Sequence, residues 1–175
     1  KMASFYDDAS LALIPSGVST GTVYSAKPVP TFGAELITNG DFATDTAWTK
    51  GTGWTISGGT ASCDGSQPSS SDLDQTSLTG IIGKTYNITY EITAITGGGL
   101  SFVFGGLIGN LNSAVGLYSE SITAINTSTL RMRANSTFTG SIDNVSVKEV
   151  IGSGDFTFTR ASEATRLVDG VVTKV

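Results

Sequence analysis

The chain has 175 residues, of which 39% are hydrophobic and 14% charged, and it contains 22 glycines. This balance disfavours a helical protein and predicts one domain of short β-strands joined by polar turns, with short appendages. The net charge is -5, which excludes a basic footprint for nucleic acid. Because histidine is absent, the chain lacks the commonest general base and the commonest metal ligand.

Membrane and secretion signals are also missing from the sequence. No apolar run approaches the ~18 residues that span a bilayer, and the N-terminus has no signal-peptide pattern. The single Cys63 permits no internal disulfide and is expected to be a small buried hydrophobe. Stability should therefore come from packing or assembly.

Residues 1–33 are predicted to form an extended N-terminal arm. Residues 10–15 (SLALIP) are a short apolar strand candidate, and Pro28 and Pro30 mark an extended linker. An arm of this kind buries too little apolar surface to order itself alone. It therefore needs a partner surface, later in the chain or on another protein.

Residues 34–150 are predicted to form an antiparallel β-sandwich that opens at residues 35–42 (ELITNGDF). There an apolar strand start meets a turn around Gly40, which can accept a positive φ. Residues 86–93 (YNITYEIT) alternate apolar and polar side chains, as a half-buried strand does. Other strands are predicted as a hairpin over 54–63, as the antiparallel partner of 86–93 at 100–104, and at 117–118, 121–125 and 129–133.

The sandwich is predicted to close at residues 140–150 (GSIDNVSVKEV). In this stretch Ile142 is out of phase with Val145 and Val147, so a regular two-residue alternation cannot bury all three side chains. We therefore predict a β-bulge at residues 143–144.

Residues 151–175 are predicted to be a linker followed by a β-hairpin. Residues 156–160 alternate as a strand, and Asp169-Gly170 is the strongest hairpin turn signal in the chain. We expect the apolar residues of the arm to pack against this C-terminal segment.

Two resemblances follow from these motifs. Residues 35–150, with LITNGDF, GWTI, GKTY and the ending IDNVSVKE, resemble the jelly-roll domains of carbohydrate-binding modules, which implies that the first and last strands share a sheet. Residues 6–16, 23–28 and 154–166 resemble a segment of tailed-bacteriophage structural and tail-fibre proteins, in which the two halves run almost continuously. Together they imply a jelly roll inserted into a small virion-anchoring unit.

The jelly-roll resemblance also implies a structural calcium between the opening turn and the closing strand. Asn39, Asp41 and Asp143 are the oxygen-bearing residues at those positions, and calcium needs six to eight oxygens in all. Ala43 stands where relatives often carry a glutamate, so one charged ligand is missing. The alternative is that Asn39 and Asp41 only cap a turn. No other cofactor is expected.

Sugar binding in sandwiches uses exposed aromatic rings, with amides and charged groups that read hydroxyls. Trp48, in a polar loop, is the candidate stacking platform, and Gln75, Tyr118 and Arg131 are its candidate companions. Trp48 could equally plug its loop, whereas Trp54 begins an alternating strand and is expected in the core.

Catalysis is not expected. Asp64, Asp72 and Asp74 cluster in a Ser-rich stretch, but nothing in the sequence fixes the separation that a pair of catalytic carboxylates needs.

The chain is therefore interpreted as a non-enzymatic virion protein of a bacteriophage: a tail fibre, an adhesin or a capsid decoration, assembled in the cytoplasm of the bacterial host. Its expected partners are other virion proteins, through the arm and the C-terminal hairpin, further copies of itself as a homo-oligomer, and glycans of the host surface or of mucus. Neither nucleic acid nor a membrane is expected. Two alternatives stay open: a purely structural assembly module, and a bacterial surface carbohydrate-binding module, which the missing signal peptide disfavours.

Overall fold

The structure is a computed structural model that describes residues 30–152 in full and, outside them, only the backbone of four short strands. The chain divides into two compact units, one of them Thr31–Ile151 and the other Lys1–Pro30 with Gly152–Val175. No helix occurs among the described residues. Accordingly, no described segment is a helix long and apolar enough to cross a membrane.

The described part of the chain contains fifteen strands, numbered in chain order. They are β1 (Leu11–Leu13), β2 (Tyr24–Ala26), β3 (Thr31–Glu35), β4 (Thr49–Lys50), β5 (Trp54–Ser57), β6 (Thr60–Asp64), β7 (Ser71–Thr79), β8 (Thr85–Gly97), β9 (Leu100–Phe104), β10 (Leu107–Ile108), β11 (Gly116–Thr123), β12 (Thr129–Ala134), β13 (Thr139–Gly152), β14 (Thr165–Val168) and β15 (Val171–Lys174).

The larger unit is an antiparallel β-sandwich of the jelly-roll type, as predicted. One sheet has five strands in the order β10-β9-β12-β7-β4. The other has six strands, with β11-β8-β13-β6-β5 as its path and β3 also paired to β13. From β7 to β13 the chain alternates between the sheets, apart from the β9–β10 hairpin, which is the connectivity of a jelly roll.

The core lies between the sheets and follows the predicted alternation of β8. Tyr86, Ile88, Tyr90 and Ile92 are all buried on the inner face of this strand. The facing sheet contributes the buried Phe102, Phe104, Leu130 and Met132. Cys63 and Trp54 are also buried, and both predictions are confirmed.

The predicted pairing of residues 100–104 with residues 86–93 is wrong. The strand formed there, β9, pairs with β12 and β10 in the opposite sheet. Three glycines precede it, and Gly98 has a φ of 70°, with the main chain at Phe138 too close for any side chain. The glycines therefore let the chain cross between the sheets where a hairpin would have kept it in one.

The two short strands predicted at 117–118 and 121–125 form a single strand in the structure. This strand, β11, pairs with β8 over all eight of its residues. Ser119 and Glu120, which the sequence pattern left as a gap, continue the alternation of exposed and less exposed side chains. Ser119 faces water, and Glu120, on the less exposed face, accepts two hydrogen bonds from Asn110.

The bulge predicted at residues 143–144 is confirmed. Asp143 lies opposite Glu91 in β8, but the next paired residue, Ser146, lies opposite Thr89, so Asn144 and Val145 share one partner position. Asn144 has a φ of 53°, in the left-handed region. The extra residue brings Ile142, Val145 and Val147 all into the core.

The opening and closing stretches are joined by main-chain hydrogen bonds. Leu36 N donates to Val147 O at 3.0 Å, and Val145 N donates to Gly40 O at 2.9 Å. A Cβ atom at Gly40 would lie 2.0 Å from Val145 O, so only glycine allows this contact. The first and last strands of the sandwich therefore share a sheet, as the resemblance implied.

The described residues of the smaller unit form two strand pairs, β1 with β2 and β14 with β15. β1 agrees with the strand predicted at residues 10–15, and the pair of β14 and β15 agrees with the hairpin predicted around residues 169–170. The alternating residues 156–160 and the packing expected for the arm's side chains lie outside the described residues.

Candidate functional site

A depression of about 490 Å³ opens at the edge of the five-stranded sheet, where β4 lies beside β7. It forms where β7 loses its regular partners. On one side β4 pairs only with Leu73 and Asp74, and on the other the pairing with β12 breaks between Gln75 and Thr79. The depression is lined by Thr38, Ala47, Trp48, Thr49, Thr76 and Ser77. Its wall therefore offers four hydroxyl groups and part of one indole.

Trp48 borders this depression but is not exposed. Only 7% of the residue is accessible, its ring lies 5.3 Å from that of Phe42, and its Nε1 donates to Asn39 O at 2.9 Å. The prediction of an exposed stacking platform is therefore wrong, and the alternative, an aromatic plug of its loop, describes the residue. The indole is held because its one polar atom bonds to the opening turn.

Gln75 lies behind the wall of the depression. It is fully buried, its Nε2 donates to Thr38 O at 2.8 Å, and its Oε1 accepts from Ser77 Oγ at 2.9 Å. A buried amide with both ends bonded is a rigid support. Gln75 therefore positions two residues of the wall and is not itself on the surface.

Beside the depression lies a group of four charged residues on the outer face of β7 and β12, Asp72, Asp74, Arg131 and Arg133, which we call the charged quartet. Arg131 is directly opposite Asp74, and Arg133 is directly opposite Asp72. Arg133 donates two hydrogen bonds, each of 2.8 Å, to the carboxylate of Asp72. Arg131 is bound more loosely, because its Nη1 is 3.5 Å from Asp72 Oδ2 and its Nε is 3.9 Å from Asp74 Oδ1.

The two aspartates of the quartet differ in their protonation behaviour. The hydrogen bonds from Arg133 lower the pKa of Asp72 below its ordinary value. Burial, reinforced by the negative charge of Asp72, raises the pKa of Asp74. Arg131 Nε is buried without a hydrogen-bond partner. Asp74 and Arg131 are therefore the incompletely satisfied half of the quartet.

The quartet and the depression form one continuous surface. Thr49, in the wall of the depression, is the cross-strand partner of Asp74, and Thr76 is two residues beyond Asp74 along β7. Three of the four residues predicted for sugar binding, Trp48, Gln75 and Arg131, therefore lie on or next to the neighbouring strands β4, β7 and β12.

Tyr118, the fourth predicted residue, lies elsewhere. It is on β11, where its hydroxyl donates to Ala114 O at 2.7 Å and its ring lies 5.5 Å from that of Tyr90. Asn110, just after β10, donates to Glu120 of β11, so β11 is beside the β10 end of the facing sheet. The depression is at the β4 end, which is the opposite edge of the sandwich.

The residues predicted to bind calcium make hydrogen bonds within their own loops. The side chain of Asn39 donates to Thr44 O and Thr46 O, and Asp41 Oδ1 accepts from Ala43 N at 3.3 Å. Asp143 Oδ1 accepts from the main-chain N of Asn144 at 2.6 Å. Within residues 30–152, no three His, Cys, Asp or Glu side chains are grouped so that they could hold a metal ion. These bonds are those of turn-capping residues, and oxygen lone pairs remain free for a cation.

The sequence patterns did not predict Asp72, Asp74 or Arg133 as parts of the surface, although the two aspartates were assigned to an acidic cluster. A signal for them is present, because Asp72-Leu-Asp74 and Arg131-Met-Arg133 each place two like charges on one face of a strand. When two such pairs of opposite charge lie on neighbouring strands, they favour cross-strand ion pairs. What the sequence does not show is which strands are neighbours.

The fold and this surface define a jelly-roll β-sandwich with a polar depression at one sheet edge. Comparison with protein-family models finds no match, and comparison with curated proteins finds none either. Among solved structures, the chain is similar to a mutant of a carbohydrate-binding module of family 29. The identity is 12%, the TM-score is 0.45, and the match covers 74% of this chain and 98% of that chain. This is a likeness of fold alone.

Proposed function

We propose that the protein is a non-enzymatic binding protein whose jelly roll holds neutral glycans at the depression and the charged quartet. The observation that carries the proposal is the meeting of the hydroxyl-lined depression with the incompletely bonded pair Asp74 and Arg131. Sugar hydroxyls both donate and accept hydrogen bonds, so a carboxylate beside a guanidinium suits them. The buried Gln75 supports this wall from behind.

Charge favours neutral glycans over acidic ones. The two aspartates and two arginines of the quartet cancel, and the whole chain carries a net charge of -5. An acidic polymer would therefore meet no excess of positive charge. Single-site contacts without an exposed aromatic platform are weak, and many copies on one particle would add avidity.

The glycan proposal is tested with two matched substitutions of exposed strand threonines. Thr76→Phe fills the depression, whereas Thr55→Phe places the same ring on β5 in the other sheet. An array of neutral and sialylated oligosaccharides identifies the sugar, and calorimetry then measures its affinity. We expect Thr76→Phe to weaken binding at least tenfold, about 1.4 kcal/mol, and Thr55→Phe to leave it unchanged. Binding that is confined to sialylated sugars, or equal in both variants, would refute the proposal.

We also propose that the protein is a bacteriophage virion component and that the jelly roll is an insertion in its anchoring unit. The resemblance of the flanking residues to phage structural proteins supports this role. The division of the chain is compatible with it, because Thr31–Ile151 interrupts a unit made of Lys1–Pro30 and Gly152–Val175. The anchoring unit would contact other virion proteins and would leave the jelly roll facing outward.

The virion role predicts that the protein copurifies with particles and that its flanks suffice for recruitment. A variant in which a short Gly-Ser linker replaces residues 34–150 should still enter particles, as measured by mass spectrometry of purified virions. The isolated jelly roll is the control and should stay outside. Exclusion of the linker variant would contradict the insertion proposal and leave the glycan site untouched.

A purely structural assembly module is the second candidate. One observation favours it: within residues 30–152 no tryptophan or tyrosine side chain is fully exposed, so the usual aromatic sugar platform is missing from that range. The oligosaccharide array distinguishes the two candidates, because a purely structural module binds no glycan. Such a module would still be found in purified particles.

A further inference from the structure

The end strands of the two sheets differ in how much edge they expose. β10 and β4, which end the five-stranded sheet, have two residues each, and β5 has four. Short end strands present few free main-chain groups and so resist pairing with another chain. β11, the other end of the six-stranded sheet, has eight residues.

β11 carries only one of the other features that protect an edge, a charged residue on its less exposed face. It pairs with β8 without a register shift, and it contains no lysine, arginine or proline. Its one charged residue, Glu120, accepts two hydrogen bonds from Asn110. Within residues 30–152, β8 is the only strand that pairs with β11. Leu117 is 73% exposed on this edge, and Val115 just before it is 60% exposed.

We propose that two copies of the chain associate by antiparallel pairing of β11 with β11, about a two-fold axis at Ser119. The partner is a second copy because two β11 strands can pair antiparallel along nearly their whole length without setting the one charged residue, Glu120, opposite its equivalent. In this register residues 116, 117 and 118 lie opposite residues 122, 121 and 120 of the other copy. The pairing joins the two six-stranded sheets into one continuous sheet.

The register follows from which pairings the strand allows. Paired residues must point to the same face, so odd-numbered residues meet odd-numbered ones. An axis at Glu120 would set two carboxylates directly opposite each other, which is destabilising. An axis at Tyr118 would pair only residues 116–120 of the strand. The axis at Ser119 pairs seven residues of each β11 and opposes no like charges.

The dimer would keep both candidate glycan sites open. β11 is at the edge of the sandwich opposite the depression, so the two depressions remain on the outer ends of the pair. Leu117 would lie opposite Ser121 of the second copy, and part of its exposed surface would be buried. The proposal does not rest on glycan binding, and the two can fail separately.

A disulfide between copies tests both the pairing and its register in the full chain. Residues directly opposite in a ladder have Cβ atoms about 4.5–5.5 Å apart, which is close to disulfide geometry. Under mild oxidation, Ser119→Cys should therefore form a covalent dimer on a non-reducing gel. The native Cys63 is buried, so the unmodified chain is the blank.

The matched control is Ser121→Cys, which also lies on the exposed face of β11. Its counterpart in the second copy would lie four residues along the ladder, roughly 13 Å away, so this variant should not crosslink to itself. Mixed with Leu117→Cys it should crosslink, because residues 117 and 121 are opposite. No dimer with Ser119→Cys, or equal dimer with Ser119→Cys and Ser121→Cys, would overturn the proposal.

Sedimentation of charge variants gives a second measurement without a covalent bond. Ser119→Lys places two lysines opposite each other and should weaken the association at least tenfold. Ser57→Lys, on the other edge of the same sheet, should not. Mixing Ser119→Lys with Ser119→Glu should restore association, since the opposed charges then attract. An unchanged association state in Ser119→Lys would contradict the β11 pairing.

Discussion

Asp72 and Asp74 are chemically identical residues of one strand face, and their surroundings shift their pKa values in opposite directions. Hydrogen bonds from Arg133 stabilise the charged form of Asp72. Burial next to Asp72 destabilises the charged form of Asp74. Asp72 should therefore stabilise the folded chain when ionised, whereas ionised Asp74 should cost stability.

The first prediction compares Asp72→Asn with Asp74→Asn. The pKa of Asp72 is lowered on folding, so its contribution is full above the unfolded pKa and is lost as pH falls through the folded pKa. Asp72→Asn should lower stability at neutral pH by about 1 kcal/mol, or roughly 2–4 °C in melting temperature. This difference should shrink in acid. Calorimetric melting between neutral pH and acid gives the measurement.

Asp74→Asn should behave in the opposite way. The pKa of Asp74 is raised on folding, so its cost appears as pH rises from the unfolded pKa through the folded pKa. Removing this charge should leave the melting temperature unchanged or higher at neutral pH. Equal destabilisation by both substitutions would show that the quartet does not divide into a satisfied and an unsatisfied half.

At the scale of the element, the closing strand β13 depends on one residue in an unusual conformation. Asn144 sits in the left-handed region at the bulge, and this extra residue is what turns Ile142, Val145 and Val147 to the same side. Asn tolerates this conformation better than other residues with a side chain. The bulge therefore couples a single backbone angle to the burial of three apolar side chains.

This coupling predicts different effects for Asn144→Gly and Asn144→Ala. Both remove the hydrogen bond from Asn144 Nδ2 to Glu91, but only alanine also meets the steric cost of positive φ. Asn144→Ala should be about 1 kcal/mol less stable than Asn144→Gly, as measured by urea unfolding. Equal stability of the two variants would mean that the bulge tolerates another backbone conformation.

At the scale of the whole molecule, the seam between the opening turn and the closing bulge holds the first and last strands together. Main-chain hydrogen bonds cross it, among them those from Leu36 to Val147 and from Val145 to Gly40, and Glu35 accepts further bonds from Ser146 and Val147. Burial opposes ionisation of Glu35, but these bonds and those from its own loop outweigh it and lower the pKa of the carboxyl. The termini of the sandwich therefore emerge side by side, as an inserted domain requires.

Calcium at this seam remains a proposal, with Asn39, Asp41 and Asp143 as the residues that would hold it. A cation bound only by the folded chain raises the melting temperature by mass action. We expect a higher melting temperature in millimolar calcium than in chelator, and loss of that difference in Asp41→Asn. An equal melting temperature in calcium and in chelator would mean that these residues only cap their turns.

Local patterns in the sequence determined much of this protein. The alternation of residues 86–93 predicts a strand with one buried face, and the phase break at Ile142 predicts a bulge, because side-chain direction in a strand follows from local geometry alone. The hairpin at 54–63 follows equally from its glycine turn. In each case the interactions that decide the structure lie within a few residues of chain.

Tertiary structure alone decided which strands are neighbours. Because the candidate site is formed by neighbouring strands, tertiary structure also decided the site. Residues 100–104 cross to the opposite sheet, and Asp74 meets Arg131 across 57 residues of chain (131 minus 74). Trp48 is buried because Phe42 and the carbonyl of Asn39 receive it. No local pattern encodes such contacts, since long-range pairing depends on how all the apolar faces of the chain are buried together.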